Sequence, residues 1–116
     1  MDEVRVAIIG LGSMGSSHAR AFLEGRIPGA RLAAVCDADP ARLAAFAAVP
    51  GFTDPAALMA AGVADAVVVA TPHPLHAAIG VAALDAGLHT LVEKPLAAHV
   101  ADAHRLVAAH ERNPDL

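Results

Sequence analysis

A short apolar segment that runs into a glycine-rich loop constrains this chain more than any other feature. Residues 4–9 are nearly all apolar and rich in β-branched side chains, which is typical of a strand buried on both faces of a parallel sheet. The segment leads directly into residues 10–15, GLGSMG, which match the pattern G-x-G-x-x-G. A helical pattern begins at about Ser13. A strand, a glycine loop and a helix in this order form the fingerprint of a dinucleotide-binding unit.

Each glycine of the loop has a separate physical role in such a unit. Gly10 permits the tight turn out of the strand, and Gly15 lets the helix pack closely on the strand. Gly12 lacks a Cβ atom, so the backbone can approach a pyrophosphate. Ser13 and Met14 stand at the helix N-terminus, where unpaired N–H groups and a partial positive charge favour phosphate oxygens. The loop therefore predicts a dinucleotide site that includes these five residues.

The remaining sequence alternates predicted strands with predicted helices. Strands are predicted at residues 4–9, 31–36, 52–53, 65–70 and 89–92. Helices are predicted at about residues 13–25, 40–48, 54–62, 74–86 and 97–110. Such alternation implies right-handed βαβ crossovers and an α/β fold of the Rossmann type, a doubly wound parallel sheet in three layers. We expect the strand order 3-2-1-4-5 and one dinucleotide-binding domain that spans residues 1–116.

Composition and charge narrow the possible partners and the location. The formal net charge is −4 and no basic run occurs, which argues against nucleic acid or an anionic membrane surface as a partner. No apolar run reaches the 18 residues of a membrane-spanning helix. Asp2 and Glu3 are acidic where a signal peptide would be positive. Cys36 is the only cysteine and cannot form an internal disulfide, so we expect a cytoplasmic protein.

An acidic residue follows the second predicted strand at the spacing that the fingerprint requires. Asp37 lies 22 residues after Gly15, where a carboxylate accepts hydrogen bonds from the adenosine ribose hydroxyls and repels a 2′-phosphate. No arginine stands directly beside Asp37 in the sequence to bind that phosphate, so NAD is predicted over NADP. Arg42, within the next predicted helix, could reach the adenine face or could be an ordinary surface charge.

Lys94 is the charged residue with the greatest chemical potential. It stands at the carboxyl end of the fifth predicted strand, where open α/β sheets place their ligands. An ammonium near a nicotinamide could hold and polarise a substrate oxygen during hydride transfer. Glu93 could orient Lys94, and Pro95 restricts the local backbone. From the residues alone, a lysine in a surface turn is the competing interpretation.

Several histidines invite a functional interpretation. His73 and His76 lie three residues apart at the mouth of the fourth predicted strand and could contact the nicotinamide ribose or the substrate. A metal site would need a third ligand and none is near in sequence, so no metal is predicted. His18 lies on the inward face of the first helix and is expected to be a hydrogen-bonded structural residue. Cys36 is expected to be buried and inert.

Four stretches of this chain resemble one known family, the glucose–fructose oxidoreductase, inositol dehydrogenase and MocA group. They are VRVAIIGLGSMGSSHARAF at 4–22, VCDADPAR at 35–42, DAVVVATPHPLH at 65–76 and AGLHTLVEKPLA at 86–97. The last is the most specific, because Glu-Lys-Pro after the fifth strand is the hallmark of the family. The resemblance spans the whole chain but only the N-terminal domain of a typical member. The family's C-terminal domain is therefore expected to be absent here.

The resemblance implies a set of roles for individual residues. It implies NAD(P)-dependent oxidation or reduction of a sugar, cyclitol or similar polyol, with Lys94 in contact with both cofactor and substrate. It implies that Thr71, Pro72 and the next residue line the nicotinamide side, although His73 stands where many members have asparagine. The Lys94–Pro95 peptide becomes a candidate cis bond. The absent domain would supply much of the substrate pocket, a catalytic histidine and the interface of a possible homo-oligomer.

Two alternatives accompany this interpretation. A chain of this length could be a stand-alone NAD(H)-binding or redox-sensing module without turnover. A methyltransferase with a glycine loop is the other alternative, and residues 93–95 disfavour it.

Overall fold

A computed structural model describes residues 3–116, and a five-stranded parallel sheet lies at its centre. The strands are β1 Val4–Ile9, β2 Ala30–Cys36, β3 Gly51–Phe52, β4 Ala66–Val69 and β5 His89–Val92. Their spatial order is β3-β2-β1-β4-β5, with every pairing parallel. The predicted Rossmann-type order 3-2-1-4-5 is confirmed. Asp2, which entered the argument on a signal peptide, lies outside the described residues.

Within residues 3–116, an α-helix follows each of the five strands, and the first three begin within a residue of the predicted position. The helices are α1 Ser13–Leu23, α2 Pro40–Leu43, α3 Pro55–Ala60, α4 His76–Asp85 and α5 Val100–Arg112. Asp39 and Asp54 cap α2 and α3 by accepting hydrogen bonds from backbone N–H groups two residues ahead, and a proline follows each cap. No helix within residues 3–116 combines the length and the apolar character needed to cross a membrane.

Helices α1 and α3 end two residues before their predicted ends, and the other three helices also differ from their predicted bounds. The second was predicted to run to residue 48, but α2 ends at Leu43 and a 3-10 turn, Ala44–Phe46, replaces its continuation. That tighter turn places Phe46 in the core. The fourth begins with a 3-10 turn at His73–Leu75, which contains Pro74. The fifth begins at Val100 rather than near residue 97, and in the loop before it the Pro95 carbonyl contacts His76 of α4.

The sheet separates two apolar layers, and β1 contributes to both. Ile8 packs in a cluster with Ala19 of α1 and Phe46, whereas Ile9 packs in a cluster with Leu58 of α3 and Ala83 of α4. Both isoleucines are fully buried, as expected for a strand covered by helices on each face. Helix α5 packs against α4. The predicted three-layer arrangement is therefore present.

An ion pair joins the first residues of β1 to the residue before β4. The Arg5 backbone N–H donates to Asp65 Oδ2 at 2.9 Å, and Arg5 Nη2 donates to Oδ1 at 2.9 Å. The Asp65 backbone N–H in turn donates to the Arg5 carbonyl. The hydrogen bonds from the Arg5 guanidinium, followed by the one from its backbone, lower the pKa of Asp65 from 3.8 to about 2. Arg5 and Asp65 thereby hold β1 and β4 in one alignment.

Candidate dinucleotide-binding site

A cleft of about 650 Å³ opens at the carboxyl ends of the parallel strands. Its walls come from the residues that follow β1, β2, β4 and β5, where the strand order reverses direction around β1. Open α/β sheets place their ligands at this position. Twelve of the fourteen predicted site residues line the cleft. They are Gly10, Gly12, Ser13, Met14, Asp37, Arg42, Thr71, Pro72, His73, His76, Glu93 and Lys94.

The two remaining predicted residues, Gly15 and Pro95, do not line the cleft. A Cβ atom on Gly15 would stand 1.7 Å from the Gly10 carbonyl oxygen, so Gly15 permits the close packing of α1 on the end of β1. Gly10 has a φ of +98°, and a Cβ there would stand 2.7 Å from the Ala70 backbone. The fold itself therefore requires glycine at both positions.

Gly12 differs from its two neighbours in the loop. A Cβ atom there would meet only the tip of Arg42, with Nη1 at 3.8 Å, which is an ordinary contact. Gly12 is the N-cap residue of α1 and provides no side-chain cap, and the first turn carries no acidic residue. The first N–H groups of a helix have no partner inside the helix. This end of the cleft thus combines open space above Gly12 with a helix N-terminus, an arrangement that fits a phosphate group.

The Asp37 carboxylate is held in a fixed orientation at the edge of the cleft. The Leu11 backbone N–H donates to Oδ2 at 2.8 Å, and the Asp39 backbone N–H donates to Oδ1 at 2.9 Å. The side chain is only 10% exposed. A carboxylate can accept about four hydrogen bonds, so each oxygen retains capacity for one more. Two acceptors held side by side match the two vicinal hydroxyls of a ribose.

Arg42 approaches Asp37 more closely in space than its position in the sequence indicates. Its Nη1 atom lies 3.7 Å from Asp37 Oδ2, although the guanidinium remains more than half exposed. The short helix α2 turns the chain back, so a residue five positions later returns to the same corner of the cleft. The prediction that no arginine stands directly beside Asp37 in the sequence is correct for residues 38 and 39, but a guanidinium is nevertheless near the carboxylate.

The hydroxyl of Thr71 is buried and has no hydrogen-bond partner within residues 3–116. A buried polar group without a partner costs about 1–3 kcal/mol. Thr71 lines the cleft after β4, so a ligand could provide the missing hydrogen bond. Pro72 and the exposed ring of His73 lie beside it on the same wall.

His76 is the only polar side chain that is buried in the described part of the chain, with 1% of its surface exposed. One ring nitrogen, Nε2, lies 2.8 Å from the Thr71 carbonyl oxygen, and the other, Nδ1, lies 2.9 Å from the Pro95 carbonyl oxygen. The ring of His73 lies edge-on to it, with the centroids 5.6 Å apart. His76 therefore touches the cleft, but its two ring nitrogens face backbone carbonyl oxygens of two loops.

Lys94 is exposed at the cleft within a turn that begins where β5 ends. The Lys94–Pro95 peptide is cis, which confirms the candidate named from the sequence. Glu93 was predicted to orient Lys94, but its carboxylate pairs with His18 Nε2 on α1. The hydrogen bond from His18, more than the weaker attraction of Lys94, lowers the pKa of Glu93. His18 is indeed hydrogen-bonded, yet a third of its side chain is exposed.

Neither the Cys36 thiol nor a metal-binding cluster adds reactive chemistry to the described part of the cleft. Burial, followed by the charges of Asp37 and Asp54, raises the pKa of the Cys36 thiol to about 11, so the thiol remains protonated at neutral pH. Within residues 3–116, no three histidine, cysteine or acidic side chains come together in an arrangement that could hold a metal ion.

The sheet, the glycine loop and the fixed Asp37 carboxylate define a dinucleotide-binding Rossmann domain. Residues 4–116 match the oxidoreductase family that is described by its NAD-binding Rossmann fold. The chain belongs to this family, as its sequence motifs predict.

Similar proteins cover nearly all of this chain, but the chain covers only part of them. It is 47% identical over 113 residues to inositol 2-dehydrogenase 1 of Saccharopolyspora erythraea, which is 93% of this chain and 33% of that protein. It is 38% identical over 110 residues to D-apiose dehydrogenase of Paraburkholderia graminis, 91% of this chain and 29% of that protein.

A solved structure gives the same result. Scyllo-inositol dehydrogenase from Lactobacillus casei, solved with NAD(H) and scyllo-inositol, matches with a TM-score of 0.92 and 26% identity over 99% of this chain and 35% of that chain. This chain thus spans about a third of the length of the relatives it matches. Because these relatives are dehydrogenases, the redox-sensing alternative is not favoured.

Proposed function

We propose that this chain binds NAD in the cleft as the cofactor domain of a dehydrogenase that acts on a sugar, cyclitol or related polyol. The observation that carries the proposal is the Asp37 carboxylate, which two backbone N–H groups hold so that each oxygen keeps one acceptor position. This arrangement suits a diol and opposes a 2′-phosphate. The open position at Gly12 and the unsatisfied Thr71 hydroxyl support a ligand that runs along the cleft.

The residues of the cleft divide between the two ends of the cofactor. Asp37 and Arg42 would hold the adenosine end, and residues 10–14 would contact the pyrophosphate through the loop backbone and the N-terminus of α1. Thr71, Pro72 and His73 would line the nicotinamide end. The bound cofactor supplies the hydride chemistry, and the task of the chain is to hold the ring against the substrate.

Lys94 is our candidate catalytic residue. It emerges beside the proposed nicotinamide end of the cleft, and an ammonium can hold a hydroxyl or carbonyl oxygen and stabilise negative charge that develops on it. Productive hydride transfer also needs an oriented substrate and a proton acceptor. Since the relatives are about three times as long as this chain, we expect residues 1–116 alone to bind NAD but to turn over polyols poorly.

Calorimetric titration of NAD and NADP tests the cofactor assignment. The wild-type chain should bind NAD more tightly than NADP, and the double variant with Asp37→Ser and Ala38→Arg should narrow or reverse that preference. Asp39→Asn is a matched control, because asparagine still caps α2, the backbone N–H that holds Asp37 is kept, and Asp39 does not line the cleft. A wild-type preference for NADP, or an equal change in the Asp39→Asn control, would contradict the assignment.

A cytoplasmic location completes the proposal. It is supported by Cys36, the single cysteine. Its thiol is buried and protonated and has no second cysteine with which to form a disulfide. Fractionation of the producing cells, with the chain followed by immunoblot, tests it, and recovery outside the cytoplasmic fraction would contradict it.

A further inference from the structure

The two residues that flank Lys94 are each bound by a histidine from a different helix. His18 of α1 pairs with the side chain of Glu93, on the N-terminal side of Lys94. His76 of α4 bonds the carbonyl of Pro95, on the C-terminal side. We name these two contacts the histidine bracket. The two helices cover opposite faces of the sheet, so the bracket holds the turn from both layers.

Lys94 depends on its backbone for its position. Among residues 3–116, no carboxylate forms an ion pair with its ammonium, and the nearest acidic residue in sequence, Glu93, is engaged with His18. The Glu93 backbone N–H donates to the Val69 carbonyl, which is the last strand-like contact before the turn. A long flexible side chain of this kind points consistently only if its Cα is fixed.

The His76 arm connects the turn to the cleft wall. Both ring nitrogens lie within hydrogen-bond distance of a carbonyl oxygen, one of Thr71 and one of Pro95. A carbonyl only accepts, and a neutral imidazole carries one N–H, so the ring lies between two acceptors and donates to one of them at a time. Because the ring is buried, water cannot replace a lost bond at low cost. This ring therefore links the loop after β4 to the Lys94 turn.

We propose that His18 and His76 are positioning residues for Lys94, which they act on through its two sequence neighbours. The role of Lys94 in this statement rests on the proposed function. The bracket itself concerns only the order of the Lys94 turn, so it can be measured in the isolated chain without any turnover.

The composition of the chain provides a direct probe. Lys94 is the only lysine, so selective ¹⁵N-lysine labelling gives one backbone amide signal in an NMR spectrum. In the wild-type chain its order parameter should be near that of rigid backbone, about 0.85. The variants are His18→Ala, which removes the contact with Glu93, His18→Gln, which keeps an N–H donor, and His76→Leu, which removes both carbonyl contacts. The control is His104→Gln, on the exposed face of α5.

The His18→Ala and His76→Leu variants should shift the Lys94 signal and lower its order parameter towards the flexible range, below about 0.6. The His18→Gln variant should restore most of the wild-type value, and the His104→Gln control should leave it unchanged. If the buried His76→Leu variant does not fold, the comparison of His18→Ala with His18→Gln tests the bracket. His18 is partly exposed, so its replacement leaves the core intact.

An unchanged Lys94 signal in folded His18→Ala would overturn the bracket, and so would an equal loss of order in His18→Ala and His18→Gln. Calorimetry with NAD on the same samples keeps the two proposals apart. A wild-type chain that does not bind NAD contradicts the proposed function, whereas a rigid Lys94 in every folded variant contradicts the bracket.

Discussion

Gly12→Ala tests whether the glycine loop is shaped by the chain alone or by a ligand. A new methyl group at Gly12 meets only the Arg42 guanidinium at 3.8 Å, and the Gly12 backbone has an extended conformation that alanine adopts without strain. Alanine is a poorer N-cap than glycine. It also reduces the conformational entropy of the unfolded chain, which stabilises the folded state by about 0.4–1 kcal/mol. The two effects nearly cancel, so the free energy of unfolding should change by less than about 1 kcal/mol.

The affinity for NAD should change much more than the stability. If a pyrophosphate approaches the loop backbone at Gly12, the methyl group intrudes into that contact. An overpacked contact costs about 1–3 kcal/mol, which corresponds to a rise in Kd of about 5- to 150-fold. Isothermal titration with NAD measures the affinity, and thermal unfolding followed by circular dichroism measures the stability.

Gly15→Ala is the contrasting variant. Its methyl group would stand 1.7 Å from the Gly10 carbonyl oxygen, a backbone overlap that side-chain rotation cannot relieve. We expect a loss of about 3 kcal/mol or more in stability, which lowers the Tm by about 10 °C or more. Wild-type NAD affinity in Gly12→Ala would refute the reasoning, and so would a loss of stability in Gly12→Ala that matches the loss in Gly15→Ala.

Two further outcomes follow from the shifted pKa values. The folded pKa of Asp65 lies below its unfolded value, so the pair with Arg5 stabilises the chain at pH values above about 4 and loses that effect as the pH falls towards 2. Urea unfolding at several pH values should therefore show a shallower decline between pH 4 and pH 2 for Asp65→Asn than for wild type, and parallel curves would contradict this. Cys36 should react with a thiol reagent at pH 8 far more slowly in the folded chain than in urea, because burial raises its pKa to about 11. Equal rates would contradict a buried thiol with a raised pKa.

The sequence predicts those parts of the fold that local patterns encode. Apolar runs, Asp-Pro caps and glycine stops recur along the chain and indicate alternating strands and helices, and parallel βαβ units permit few strand orders. The cleft follows from that order, because the carboxyl ends of the strands meet at one edge. The largest difference in a helix boundary, the early end of α2, lies where a tertiary contact competes with local preference, because the 3-10 turn that follows places Phe46 in the core.

Side-chain pairings across long sequence separations are what the sequence does not predict. His18 and Glu93 are 75 residues apart, and nothing in the pattern around either one names the other. For His76 a signal exists. It shares the buried face of α4 with Gly80, Ala83 and Leu84, a helical spacing that indicates a core position. This spacing is a better guide to the role of His76 than its closeness to His73 in the sequence, and it predicts a buried ring that bonds to the backbone.

The Arg5–Asp65 pair has a consequence for how the sheet assembles. Residues 4–9 are apolar at five of six positions, so hydrophobic alternation does not distinguish the native alignment of β1 from one displaced by a single residue. Such a displacement would put Val4 or Val6 opposite Asp65 and leave the carboxylate without its guanidinium. It would also move the side chains of Ile8 and Ile9 to the opposite faces of the sheet, so each would leave its own apolar cluster. A partly exposed ion pair adds little to the free energy of unfolding. This pair nevertheless raises the free energy of every displaced alignment of β1, because each of them loses the pair.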